Sequence, residues 1–192
     1  MNTEKVMQIL IVVAHSDDET IGMGGTIRRH VAQGDLVHVI CMTDGVGARA
    51  VNQTDDAQTR AVSAAQASEI LGFNWIKGAY FDDNMMDKYP LLEIVKVIES
   101  AKGQIAPDIV YTHSGADLNV DHRVVATSVL TAFRPNPDEK CCEIRLFEVA
   151  SATDYGHETL TGRFSPNLFI NTAKTWDSKE AALKAYNPTF PK

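Results

Sequence analysis

The chain has 192 residues and a formal net charge of -7, which is enough length to bury one core without staples and too acidic a balance for a binder of phosphate backbones. Arg28-Arg29 is the only adjacent basic pair, so nucleic acid is not expected as a partner. There is no apolar run of about 18 residues and no signal-peptide layout, so neither membrane insertion nor export is expected; Cys41, Cys141 and Cys142 lack metal-knuckle spacing, which fits a reducing, cytoplasmic setting.

In chain order, residues 7–14 form a β-branched apolar run, the pattern of a strand covered on both faces in a parallel sheet. Helix spacing follows over 20–33, stopped by Gly34, and 36–42 reads as a second strand that ends in the glycine-bearing loop Thr43-Asp44-Gly45-Val46-Gly47. An alanine-rich helix is predicted over 55–71 with Gly72 as its stop. A short strand at 75–81, a polar loop and a helix over about 90–102 come next. A strand ending in His113, a helix over 121–133 and a strand at 144–149 complete the alternation. The expected fold is α/β, a mostly parallel, Rossmann-like sheet flanked by helices in one domain. In such sheets ligand sites gather beyond the carboxyl ends of the strands, and His15, Asp44, Asp83 and His113 all fall there.

Two clusters carry chemistry. His15-Ser16-Asp17-Asp18-Glu19 crowds three carboxylates and an imidazole at the end of the first strand, and Asp117-Leu118-Asn119-Val120-Asp121-His122 lies about a hundred residues on. Carboxylates packed this closely repel unless a cation offsets them. His15 and Asp18 stand at i, i+3 across a strand-to-helix turn, and His122 can complete a three-ligand zinc site with an open position. Asp17 is then left over as a general base, and Asp121 is placed to fix the tautomer of an imidazole. The competing structural reading is that Ser16 or Asp17 merely caps the following helix. Gly22-Met23-Gly24-Gly25 lacks the full dinucleotide fingerprint, and the acidic residues before it would repel a pyrophosphate.

Ala14-His15-Ser16-Asp17-Asp18-Glu19 resembles the Ala-His-Pro-Asp-Asp-Glu signature of the PIG-L/LmbE family of zinc-dependent N-acetylglucosaminyl deacetylases, and Asn119-Val120-Asp121-His122-Arg123 resembles its second motif. Gly24-Gly25, Thr43-Asp44-Gly45, Leu71-Gly72 and Pro166-Asn167-Leu168-Phe169-Ile170 follow in the family's order. The resemblance implies His15, Asp18 and His122 as ligands of Zn2+, with Fe2+ or Co2+ tolerated, Asp17 as general base and Arg49 as a sugar contact. It further implies hydrolysis of the acetamide of an N-acetylated amino sugar or its conjugate, a small-molecule substrate, to acetate and free amine. A homo-oligomer is compatible with it.

The chain departs from the pattern at three places. Ser16 replaces the usual proline, the chain ends sooner than many relatives, and Asn119 stands where several relatives carry a histidine. His113 is therefore the expected substitute as proton donor, against the plainer reading of a strand-end histidine held by backbone. Asp83, with Asn119, is assigned to substrate hydroxyls, although a solvated loop explains Asp82-Asp83-Asn84 equally well. Two rivals stay open: a two-metal phosphoesterase, and an inert or carbohydrate-binding scaffold.

Overall fold

The computed structural model describes residues 5–43, 53–78, 81–141 and 143–186, with the side chains of 53–57 left aside. Five strands, β1 (Gln8–Val13), β2 (Leu36–Cys41), β3 (Asn74–Trp75), β4 (Ile109–His113) and β5 (Glu143–Phe147), form one sheet in the order β3-β2-β1-β4-β5. Every pairing is parallel.

The central strand shows why. β1 is apolar along almost its whole length, and alternate side chains enter opposite cores. Leu10 and Val12 pack with Ile40, Ile94, Ile98 and Val125 on one face. On the other, Ile9, Ile11 and Val13 pack with Ile27, Val39 and Leu71. Helices α1 (Asp18–Ala32), α2 (Gln53–Leu71) and α6 (Trp176–Tyr186) cover that second face, and α3 (Leu91–Ile105) and α4 (Val120–Ala132) the first; α5 (Glu158–Thr161) is one short turn.

Gly34 and Gly72 end α1 and α2 with φ of 91° and 82°, the left-handed turn that glycine adopts at no steric cost. The glycines inside α1 serve packing and not phosphate. A Cβ on Gly22 would stand 2.5 Å from Phe147 Cδ2 and 2.7 Å from the Glu148 carbonyl oxygen. The strand expected at 75–81 shrinks to Asn74–Trp75 plus an isolated bridge between Thr43 and Phe81. The chain crowds β2 there, since a Cβ on Gly78 would lie 2.6 Å from the Cys41 carbonyl oxygen.

The strand order reverses between β1 and β4, so the loops beyond their carboxyl ends open a crevice at the switch point. His15, His113 and the start of α4 meet there. Among the described residues no helix is long and apolar enough to cross a membrane.

Candidate metal centre

β1 delivers His15 two residues past its last paired residue, α1 begins at Asp18, and α4 presents His122 from its first turn. Their ligand atoms form a nearly equilateral triangle. His15 Nδ1 lies 3.3 Å from Asp18 Oδ2, His122 Nε2 lies 3.3 Å from the same oxygen, and the two nitrogens are 3.2 Å apart. Three corners of a tetrahedron around an ion with bonds of about 2.0–2.1 Å are separated by about 3.3–3.4 Å, so the spacing suits zinc.

The outer nitrogens support this assignment. His15 Nε2 faces Asp121 Oδ2 at 3.2 Å and Asp83 Oδ1 at 3.1 Å, and His122 Nδ1 faces Asp117 Oδ2 at 3.0 Å. With protons held on those outer nitrogens, three lone pairs converge on one point. Such a set could hold a cation, with carboxylates facing each imidazole from outside. The charges agree. Burial opposes a proton on His15, yet Asp121, Asp18 and Asp83 push it up to about 12, and against the same burial Asp117 and Asp18 push His122 up to about 9. Asp18, despite complete burial, is held well below the usual carboxylate range by its hydrogen bonds to the His122 and His15 imidazoles and by the His122 charge. Two imidazoles among four carboxylates, Asp18, Asp83, Asp117 and Asp121, leave a negative excess that a divalent ion offsets. A second set, His15, Asp83 and Asp121, is also close enough to hold an ion, but it converges on the imidazole nitrogen whose proton orients His15.

Asp17 occupies the N-cap of α1 and does not act as a side-chain cap. Its carbonyl oxygen accepts from the Thr20 and Ile21 amides, and its carboxylate makes no capping hydrogen bond. The carboxylate lies instead 3.5 Å from Arg60 Nη1, and burial and the Asp18 charge push it up to about 6. The backbone there is strained, with φ of 147°, a conformation that costs a non-glycine residue on the order of 1–3 kcal/mol and that clusters at active sites.

The remaining expected residues fall into place unevenly. Asp121 is fully buried, and besides facing His15 it accepts from the Asn84 amide at 2.7 Å and the Met86 amide at 3.0 Å, tying the loop after β3 to the centre. Asp83 is buried against His15, not turned to solvent. Asn119 caps α4 by accepting from the Asp121 amide, and its Nδ2 donates to Asn84 Oδ1 at 3.3 Å. Arg49 and Asp44 lie outside the described residues.

His113, expected as a proton donor, is fully buried; its Nε2 accepts the Ala14 amide at 2.9 Å, and burial pushes its pKa down to about 3. Its ring stacks on His122 with centroids 3.9 Å apart. An acceptor nitrogen in a neutral, closed-off ring gives no proton to a leaving group, so the geometry makes His113 a support for the β1 end and for His122.

Four residues without an assigned role in the sequence belong to the centre's surroundings: Asp117, Glu19, Arg60 and Tyr186. Asp117 sits in the second cluster, five residues before His122, a separation with no regular signature. Arg60 is one cation in an alanine-rich helix, and only the fold brings it to Ser16, whose carbonyl oxygen accepts from Arg60 Nη1 at 3.1 Å.

Comparison with known proteins fits this geometry. The model of the family PIG-L, GlcNAc-PI de-N-acetylase, matches residues 10–133. A 4-oxalmesaconate hydratase of Pseudomonas putida is 28% identical, aligned over 96% of this chain and 74% of its own. A probable N-acetyl-alpha-D-glucosaminyl L-malate deacetylase 2 of Bacillus cereus is 25% identical over 93% of this chain and 81% of its own. Among solved structures, N,N'-diacetylchitobiose deacetylase from Pyrococcus horikoshii superposes with a TM-score of 0.73 at 21% identity, covering 97% of this chain and 72% of that one. With most of the sheet and both clusters inside the matched segment, the chain belongs to the PIG-L family.

Proposed function

We propose that the protein is a metal-dependent N-deacetylase that hydrolyses the acetamide of an N-acetylated amino sugar or its conjugate, releasing acetate and a free amine. The observation that carries this reading is the triangle of His15 Nδ1, Asp18 Oδ2 and His122 Nε2 with Asp17 beside it, unspent on the helix cap. The names of the deacetylase relatives point to the same substrate class.

His15, Asp18 and His122 would hold the ion, for which zinc is the first choice and iron(II) or cobalt(II) fit the same donors. When bound, such an ion lowers the pKa of a water and polarises a carbonyl oxygen. Asp121 and Asp117 keep the imidazoles aimed inward. Asp17 takes the proton from the attacking water and returns it to the amine as the C–N bond breaks, serving as base and then acid. At the rim, the Asn84 and Asn119 amides hydrogen-bond sugar hydroxyls, and Arg49 is assigned a sugar contact by family resemblance alone. Cys41 is a free thiol, in keeping with a cytosolic enzyme.

The relative named a hydratase supports a second reading, addition of water across a carbon–carbon double bond of an unsaturated acid, since Asp17 and the same centre can activate water for either acceptor. The test is a panel of N-acetylated amino sugars, free and conjugated, beside unsaturated dicarboxylic acids, given to the metal-loaded protein. Primary amine and acetate appearing together support the deacetylase; loss of the conjugated absorbance without amine supports the hydratase.

A further inference from the structure

The strained backbone at Asp17 is held in place by a residue that the proposed reaction does not use. Glu19 is fully buried in the first turn of α1. Its Oε2 accepts the Asp17 amide at 3.0 Å, while Oε1 accepts the Thr20 hydroxyl at 2.7 Å and the Tyr186 hydroxyl at 2.9 Å. Tyr186 is the last residue of α6, 167 positions away in sequence, and α6 packs over α1 and α2.

In the capping box, the N-cap side chain covers an amide of the first turn while a glutamate three residues on covers the N-cap amide. Here only the second half is made, by a glutamate two residues on. Asp17 sits at the N-cap with its carboxylate free of helix amides, and Glu19 takes over the amide of Asp17 itself. A local glutamate that bends back to its own helix start needs something to fix its rotamer, and the Thr20 and Tyr186 hydroxyls do so from two sides. The strain at φ of 147° persists only where surrounding contacts over-determine it.

We propose that Glu19, locked by Tyr186 of the C-terminal helix, is the positioning residue that holds Asp17 in its strained conformation and releases the Asp17 carboxylate from capping to serve as the base. The proposal rests on Asp17 acting in that role. Glu19 touches neither the metal ligand atoms nor a substrate. Its action passes through one backbone amide, and α6 is thereby part of the active-site support and not a peripheral addition.

The test uses the full-length, metal-loaded protein with Glu19→Ala, Glu19→Gln and Tyr186→Phe. Two readouts are taken on each: hydrogen exchange at the Asp17 amide, and kcat and KM on the best substrate of the panel. Gln still offers one oxygen to the Asp17 amide, and the two hydroxyls can rotate to accept from its Nε2. Glu19→Ala is expected to speed exchange at Asp17 and, since a misplacement of about 1 Å costs roughly 10²-fold, to lower kcat by about that factor with KM and metal content unchanged. Glu19→Gln is expected to restore both readouts to near the wild-type values, and Tyr186→Phe to shift them in the same direction as Ala by a smaller factor. Asp17 exchange that is unchanged in Glu19→Ala, or kcat that Gln leaves as low as Ala, overturns the proposal. If Glu19→Ala does not fold, Tyr186→Phe decides by the same readouts. Should the wild-type protein release amine from no sugar, the deacetylase reading fails, and the exchange arm still decides whether Glu19 holds Asp17.

Discussion

His122 Nε2 stands 3.2 Å from His15 Nδ1, although 107 residues separate them in the chain, and Asp18 Oδ2 lies 3.3 Å from both. A divalent ion can take the place of the protons that the carboxylates otherwise hold on these two imidazoles, and the spacing of the three atoms matches its bond lengths. The wild-type protein is therefore expected to bind about one zinc ion per chain, and His122→Ala or Asp18→Ala to bind none, as read by elemental analysis after dialysis. Full occupancy in either variant would show that the triangle is not the binding set.

Of the two imidazoles, Asp121 and Asp117 face the outer nitrogens and not the ligand atoms. Asp121→Ala should weaken zinc affinity by about 10–100-fold while leaving a site that still fills at saturating metal. Competition with a chromophoric chelator measures it. Unchanged affinity would mean that His15 is oriented without Asp121.

Both clusters were legible in the sequence because their spacing is local: i, i+3 for His15 and Asp18, and a strand end or helix start for each ligand. The sheet was legible for a related reason, since a strand buried on both faces writes a continuous apolar run. What escaped were contacts made only by the fold. Arg60 and Tyr186 reach the Ser16–Glu19 turn from α2 and α6, and neither their neighbours nor any period marks them. Helix α6 itself gave a weak signal, with Ala182 and Leu183 its only buried residues. His113 shows the opposite failure. Its position at a strand end is right for chemistry, but the Ala14 amide that occupies its Nε2 belongs to the neighbouring strand's end and is invisible in sequence.

That placement makes a distinct expectation for His113. In the proposed reaction Asp17, not His113, returns the proton to the amine, so His113→Gln should keep the alkaline limb of the pH–rate profile at its wild-type position. Loss of the ring stacked on His122 should instead appear as lower thermal stability, by about 1–3 kcal/mol for a disturbed buried hydrogen bond. Disappearance of the alkaline limb with unchanged stability would return the proton-donor role to His113.

The glycines of α1 test the packing account independently. A methyl group on Gly22 must displace Phe147 and meets the Glu148 carbonyl oxygen, which is backbone and cannot swing away. Gly22→Ala is therefore expected to cost about 1–3 kcal/mol in denaturant unfolding, the usual cost of overpacking. No loss would mean that α1 and the end of β5 are less tightly apposed than described.

In the proposed reaction a metal held by the triangle activates water and Asp17 moves the proton. That reaction is tested most directly by one comparison: turnover of the most active N-acetylated sugar by wild-type protein and by Asp17→Asn, each carrying one metal per chain, with acetate and primary amine quantified together. Equal amounts of acetate and amine are expected from the wild type, and a fall of about 10²–10⁴-fold in the variant at unchanged metal content. Turnover in Asp17→Asn within about threefold of wild type, a small fraction of what a general base contributes, would contradict it.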